Sequence, residues 1–112
     1  MESNIIIKRL SALAQESRLA VFRLLVRAGP EGVAAGEIAR ALEITPNTLS
    51  AQLTVLANAG LVASRRDGRS IIYTADYDSM SGLLVYLMED CCQGRPEICV
   101  PLAAVTSRLA CC

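Results

Sequence analysis

The stretch EIARALEITPNTLSAQLTVLANAG must end one helix and begin another within a few residues. Residues 35–42, AGEIARAL, have helical spacing through Ile38, Ala41 and Leu42. A new helix starts at Thr45, because a threonine N-cap followed by proline at the first helical position satisfies one free amide and presets the backbone. Leu49, Leu53 and Leu56 give that helix, residues 45–59, a buried stripe, and Gly60 closes it. Two short helices joined this tightly must cross rather than stack end to end. The next segment, LVASRRDGRSIIYTA, places Asp67-Gly68 between two runs of strand formers and predicts a tight hairpin carrying Arg65, Arg66 and Arg69.

Helices flank this unit on both sides. In NIIIKRLSAL, Ile6, Leu10 and Leu13 recur at helical spacing, and in ESRLAVFRLLVRAG, Leu19, Phe22, Leu25 and Val26 share a face before Gly29-Pro30. A last helix begins near Asp76 or Asp78 and aligns Met80, Leu84 and Leu87, a stripe that reaches Cys91 before Gly94 and Pro96 break it. The order is four helices, a hairpin and a helix: a mainly α fold with a small β-hairpin, a winged helix-turn-helix. Residues 1–90 are read as the DNA-binding and dimerisation domain and residues 91–112 as a cysteine-rich tail. The first and last helices, both rich in apolar side chains, are the expected homodimer interface. No run approaches the roughly 20 apolar residues of a membrane span, and charges follow the early isoleucines. A cytoplasmic protein with reduced thiols, and no membrane partner, is therefore expected.

Eleven basic and eleven acidic side chains cancel, which taken alone argues mildly against nucleic acid. Distribution matters more. Residues 1–75 hold nine basic against six acidic side chains, and residues 76–112 hold two against five. The outward face of the 45–59 helix presents Asn47, Ala51, Thr54 and Asn58, flanked by Thr48, Ser50 and Gln52. Amides can pair bidentately with adenine, and hydroxyls can serve several bases. That face has no charge, so attraction to phosphate must come mainly from Arg65, Arg66, Arg69 and earlier arginines. Either feature by itself favours an ordinary solvated surface. Together, in this order, they point to operator DNA, with Thr45, Asn47, Thr48, Ser50 and Gln52 on the helix and the three arginines on the wing as candidate contacts.

LAQESRLAVFRLL, EIARALEITPNTLSAQLTVLANAGLV and SRRDGRSIIYTA resemble the ArsR/SmtB metalloregulators, over about residues 4–90. The resemblance implies a small dimeric winged-helix repressor that leaves DNA when a metal or metalloid binds. Family members commonly carry an Arg-His pair after the central serine of the recognition helix. Here Ser50 is followed by Ala51 and Gln52, so operator contacts differ in detail. The family's Cys-x-Cys site at the start of the third helix is absent from EGVAAGEIA, and its Asp/His zinc site on the last helix is excluded in a chain with no histidine.

What remains is DCCQGRPEIC. All five cysteines follow residue 90, and Cys91, Cys92 and Cys99 fall within nine positions. Soft thiolates select thiophilic ions. Three of them neutralise a trivalent metalloid whose lone pair leaves a three-coordinate pyramid, whereas structural zinc usually takes four ligands. Arsenite is the expected inducer, with antimonite as an alternative. Cys91 alone could be a small core residue, and Cys111 and Cys112 are read as auxiliary. Two rival functions remain open: a thiol redox-sensing repressor of the same fold, and a small thiol enzyme acting on arsenicals. The enzyme is disfavoured because the chain has no histidine base and no redox motif on a suitable scaffold.

Overall fold

A computed structural model of the chain describes residues 3–88. Its elements run α1 (Ser3–Leu13), α2 (Glu16–Ala28), β1 (Val33–Ala34), α3 (Ala35–Leu42), α4 (Pro46–Asn58), β2 (Val62–Asp67), β3 (Ser70–Ala75) and α5 (Tyr77–Met88). The strands form one antiparallel sheet in the order β1-β3-β2. The fold is the expected winged helix-turn-helix, with one strand more than a simple hairpin.

Local chemistry sets the helix ends. The Gln15 side chain accepts from the Arg18 amide at the start of α2, and Thr45 Oγ1 accepts from the Thr48 amide at the start of α4. Asp76 caps α5 by accepting from the Ser79 amide at 3.0 Å. At the end of α4 the Leu61 amide donates to Leu56 O and the Gly60 amide to Ala57 O. With Gly60 at φ +78° this is a Schellman cap, and Leu56 and Leu61, its paired apolar residues, are both fully buried. Helix α3 ends the same way, with Ile44 N bonded to Ala39 O, but Glu43 occupies the left-handed position at φ 55°.

The core joins Val21, Phe22 and Leu25 of α2 to Ile38 and Ala39 of α3 and Leu49, Leu53 and Leu56 of α4. Leu61, just before β2, and Val62 and Ala75 of the sheet close it. On α4 the buried stripe is the one the sequence predicts. Elsewhere it rotates. Val21 is buried in α2 where Leu19 is exposed, Ala39 rather than Ala41 is buried in α3, and Leu10, Leu84 and Leu87 lie on the surface.

Strand β1 was not expected. Its two residues pair with β3 through Val33↔Tyr73 and Ala34↔Ile72. Gly32, at φ +78°, makes this possible, since a Cβ there would lie 2.5 Å from Tyr73 O and 2.7 Å from the Ile72 and Thr74 Cγ2 atoms. Gly32→Ala is therefore expected to cost about 2–4 kcal/mol, from left-handed strain plus overpacking against backbone. Urea unfolding measures it, and a loss under 1 kcal/mol would mean that β1 can shift off the sheet at little cost.

Candidate nucleic-acid interface

Helix α4 follows α3 after a three-residue connection, and its first turns are exposed. Asn47, Thr48 and Ser50 are all on the surface. Thr45 Oγ1 donates to Thr48 Oγ1 at 2.8 Å while accepting from the Thr48 amide at 3.3 Å. Both of Thr45's roles are thus taken by the cap, and the Thr48 hydroxyl keeps its own proton to donate outward. The Thr54 hydroxyl, by contrast, turns back onto Ser50 O at 2.9 Å. Asn47 and Ser50 make no side-chain hydrogen bond among the described residues, so their polar groups face water and are free for base edges.

Gln52 is placed differently from its neighbours. It is half-buried, and its Oε1 accepts from Arg18 Nη1 at 3.0 Å. On the helix it lies only about 60° from Leu49 at 100° per residue, near the buried stripe. Its polarity suggested a surface role that its angular position does not favour.

The wing turns through Gly68 and Arg69, between the paired Asp67 and Ser70. Only Gly68 of these two has positive φ, at 63°, the pattern of a II′ hairpin loop with glycine first. Arg69 therefore projects from the tip. It borders a cleft shared with Ala35 and Gly36 at the start of α3, and the adjoining cleft is bordered by Ser50 and Ile71. Helix and wing thus face one continuous surface. The arginines are not equivalent on it: Arg65 Nη2 donates to Glu31 O at 2.7 Å, whereas Arg66 and Arg69 have no such partner among the described residues. Arg40 is paired with Glu37 on α3.

This arrangement predicts distinct behaviours. Arg69→Ala is expected to weaken binding to all duplexes alike and to lower the slope of log affinity against log salt by about one. An unchanged slope would remove Arg69 from the phosphate contacts. Among the described residues no group of histidine, cysteine and carboxylate side chains could hold a metal ion. Cys91, Cys92 and Cys99 lie outside the described residues, as do Cys111 and Cys112. No described helix is long and apolar enough to cross a membrane.

Known proteins share this architecture. Residues 13–65 match the family model described as a helix-turn-helix domain. The chain is 35% identical over 78 residues to the uncharacterised HTH-type transcriptional regulator YceK of Bacillus subtilis, covering 70% of this chain and 77% of that one. It is 40% identical over 60 residues to a putative arsenical resistance operon repressor, ArsR, of Halobacterium salinarum, covering 54% of this chain but only 46% of that protein. Among solved structures, a homodimeric winged helix-turn-helix DNA-binding domain of Mycobacterium bovis, a possible ArsR-family regulator, superposes with a TM-score of 0.64. That similarity spans 78% of this chain and 80% of the other, at 31% identity. The chain belongs to the ArsR/SmtB-type family of winged helix-turn-helix transcriptional regulators.

Proposed function

We propose that the protein is an arsenite-responsive repressor that binds its operator as a homodimer and releases it when Cys91, Cys92 and Cys99 hold As(III). The observation that carries this reading is where the thiols fall in the sequence relative to the last helix. Helix α5 is described to Met88, and the cysteine cluster begins three residues later in sequence. That helix is apolar over most of its surface, with Leu84, Val85, Leu87 and Met88 all exposed. A helix whose exposed surface is mostly apolar requires a partner, and α5 packs on α1, which exposes Ile5 and Leu10. A second copy covering this face joins two recognition helices into one reader, as half-site recognition requires.

The donor set fits the ligand. With arsenious acid, each thiol proton leaves with one arsenic-bound hydroxide as water, three S–As bonds replace three O–As bonds, and the site ends neutral. Closing three sulfurs that follow the interface helix in sequence would bias the spacing of the two α4 helices. The differential binding needed is modest, about 1–3 kcal/mol. The name of the halobacterial relative supports the choice of ligand. As(III) titration of the purified protein, reading duplex release and bound arsenic together, tests the proposal. One arsenic per chain at the point of release is expected. Release by peroxide, with no arsenic effect, would instead favour the redox repressor.

A further inference from the structure

Two arginines tie α4 to α1 in a way that base and phosphate recognition leave unexplained. Arg18 Nε donates to Ala12 O at 2.6 Å, and its Nη1 donates to Gln52 Oε1 at 3.0 Å. Arg9 Nε donates to Ala59 O at 3.2 Å. All three bonds are part-buried, and two of them link residues far apart in sequence, 34 positions in the case of Arg18 and Gln52 and 50 in the case of Arg9 and Ala59. Both arginines meet helix C-termini, where unpaired carbonyls and the helix dipole favour a cation. Arg18 serves the end of α1 and Arg9 the end of α4.

Gln52 and Ala59 are seven residues apart, about 10 Å along a helix. One tether would leave α4 free to pivot about it. Two tethers at that separation fix its tilt as well as its position against α1. We propose that Arg9 and Arg18 lock the recognition helix to α1, so that α4 moves with the helix that meets the partner, and that Gln52 receives this lock rather than reading a base. The inference rests on the DNA-binding reading above and adds to it a route from the dimer interface to the operator. Arg9 and Arg18 are positioning residues in this scheme, because neither touches the DNA.

The test uses the full chain and two duplexes: one selected by the wild-type protein from a random pool, and a scrambled duplex of equal length. Arg18→Met and Gln52→Met are each expected to weaken binding to the selected duplex about tenfold, as loss of a charge-assisted hydrogen bond implies. Affinity for the scrambled duplex and the salt slope should stay at wild-type values. The double variant should be no weaker than the worse single variant, because both remove the same bond. Arg9→Met should act in the same direction, and thermal unfolding identifies any variant that has lost its fold. Gln52→Met, which removes the bond from a half-exposed side chain, keeps the test open if Arg18→Met unfolds. Four results would overturn the lock. One is a roughly hundredfold, additive loss in the double variant. A second is a salt slope lowered by about one in Arg18→Met, the mark of a phosphate contact. A third is a base preference altered at one operator position by Gln52→Met alone. The fourth is no effect from any variant. A wild-type protein that enriches no duplex overturns the DNA-binding reading itself, and the lock with it.

Discussion

Serine at any one of Cys91, Cys92 or Cys99 is expected to leave operator affinity unchanged and to abolish its loss on adding As(III). Coupling between effector and DNA sites in proteins of this kind spans about 5- to 150-fold, and each serine should bring that ratio close to one. The size of the effect follows from the ligand count. A trivalent centre held by three thiolates loses a whole covalent bond when one sulfur becomes a hydroxyl, a hard donor that arsenic does not prefer over water. Basal binding should survive because, among the described residues, the buried core is built from α1, α2, α3, α4 and the sheet, which hold no cysteine. A chain shortened after Ala110 should respond as the full chain does, since Cys111 and Cys112 are twelve or more positions beyond Cys99 with no turn signal past Pro101. Operator titrations of each variant with and without As(III) decide the matter. A Cys99→Ser protein that still dissociates at wild-type arsenite concentrations would sink the three-thiolate site.

The sequence made the DNA-reading unit legible because its signals there are local. Thr45-Pro46, the leucines at 49, 53 and 56, Gly60 and Asp67-Gly68 each act within a turn or two of the backbone, and all are placed as expected except that the hairpin turn falls one residue later, on Gly68-Arg69, with Asp67 paired in β2. What it hid depends on partners distant in sequence. Strand β1 is two residues long, too short for an alternating pattern, and exists because β3 offers it an edge and Gly32 allows the approach. Gln52 read as a surface amide because its partner, Arg18, is 34 residues away. Leu10, Leu84 and Leu87 kept helical spacing yet lie outside the chain's own core. Periodicity reports that a face must be buried, not whether the covering surface belongs to the same chain. The thiol cluster was the clearest chemical signal in the sequence, and it falls outside the described residues.

Those misplaced leucines motivate the other large effect. Leu84→Glu and Val85→Glu are expected to turn the proposed dimer into a monomer and to weaken operator binding by about a hundredfold or more. Among the described residues, seven of the ten exposed large apolar side chains lie on α1 and α5. Leu84 is 48% exposed and Val85 65% exposed in the single chain. A carboxylate at either position meets water in the monomer, so the fold should lose little, about 0.5 kcal/mol or less. In a dimer the same carboxylate is buried beside its symmetry mate, unpaired, in an apolar interface, which costs several kcal/mol. Operator affinity falls with the dimer because the second recognition helix no longer binds at the high effective concentration that tethering provides, a gain of about 10²–10⁴. Asp78, already on the first turn of α5, supplies like charge near the start of the face and cannot relieve the new carboxylate. Sedimentation equilibrium, thermal unfolding and operator titration on the same samples separate the contributions. If Val85→Glu remains dimeric at micromolar concentration with wild-type affinity, α5 is not the interface, and its apolar face must be covered by another part of the chain.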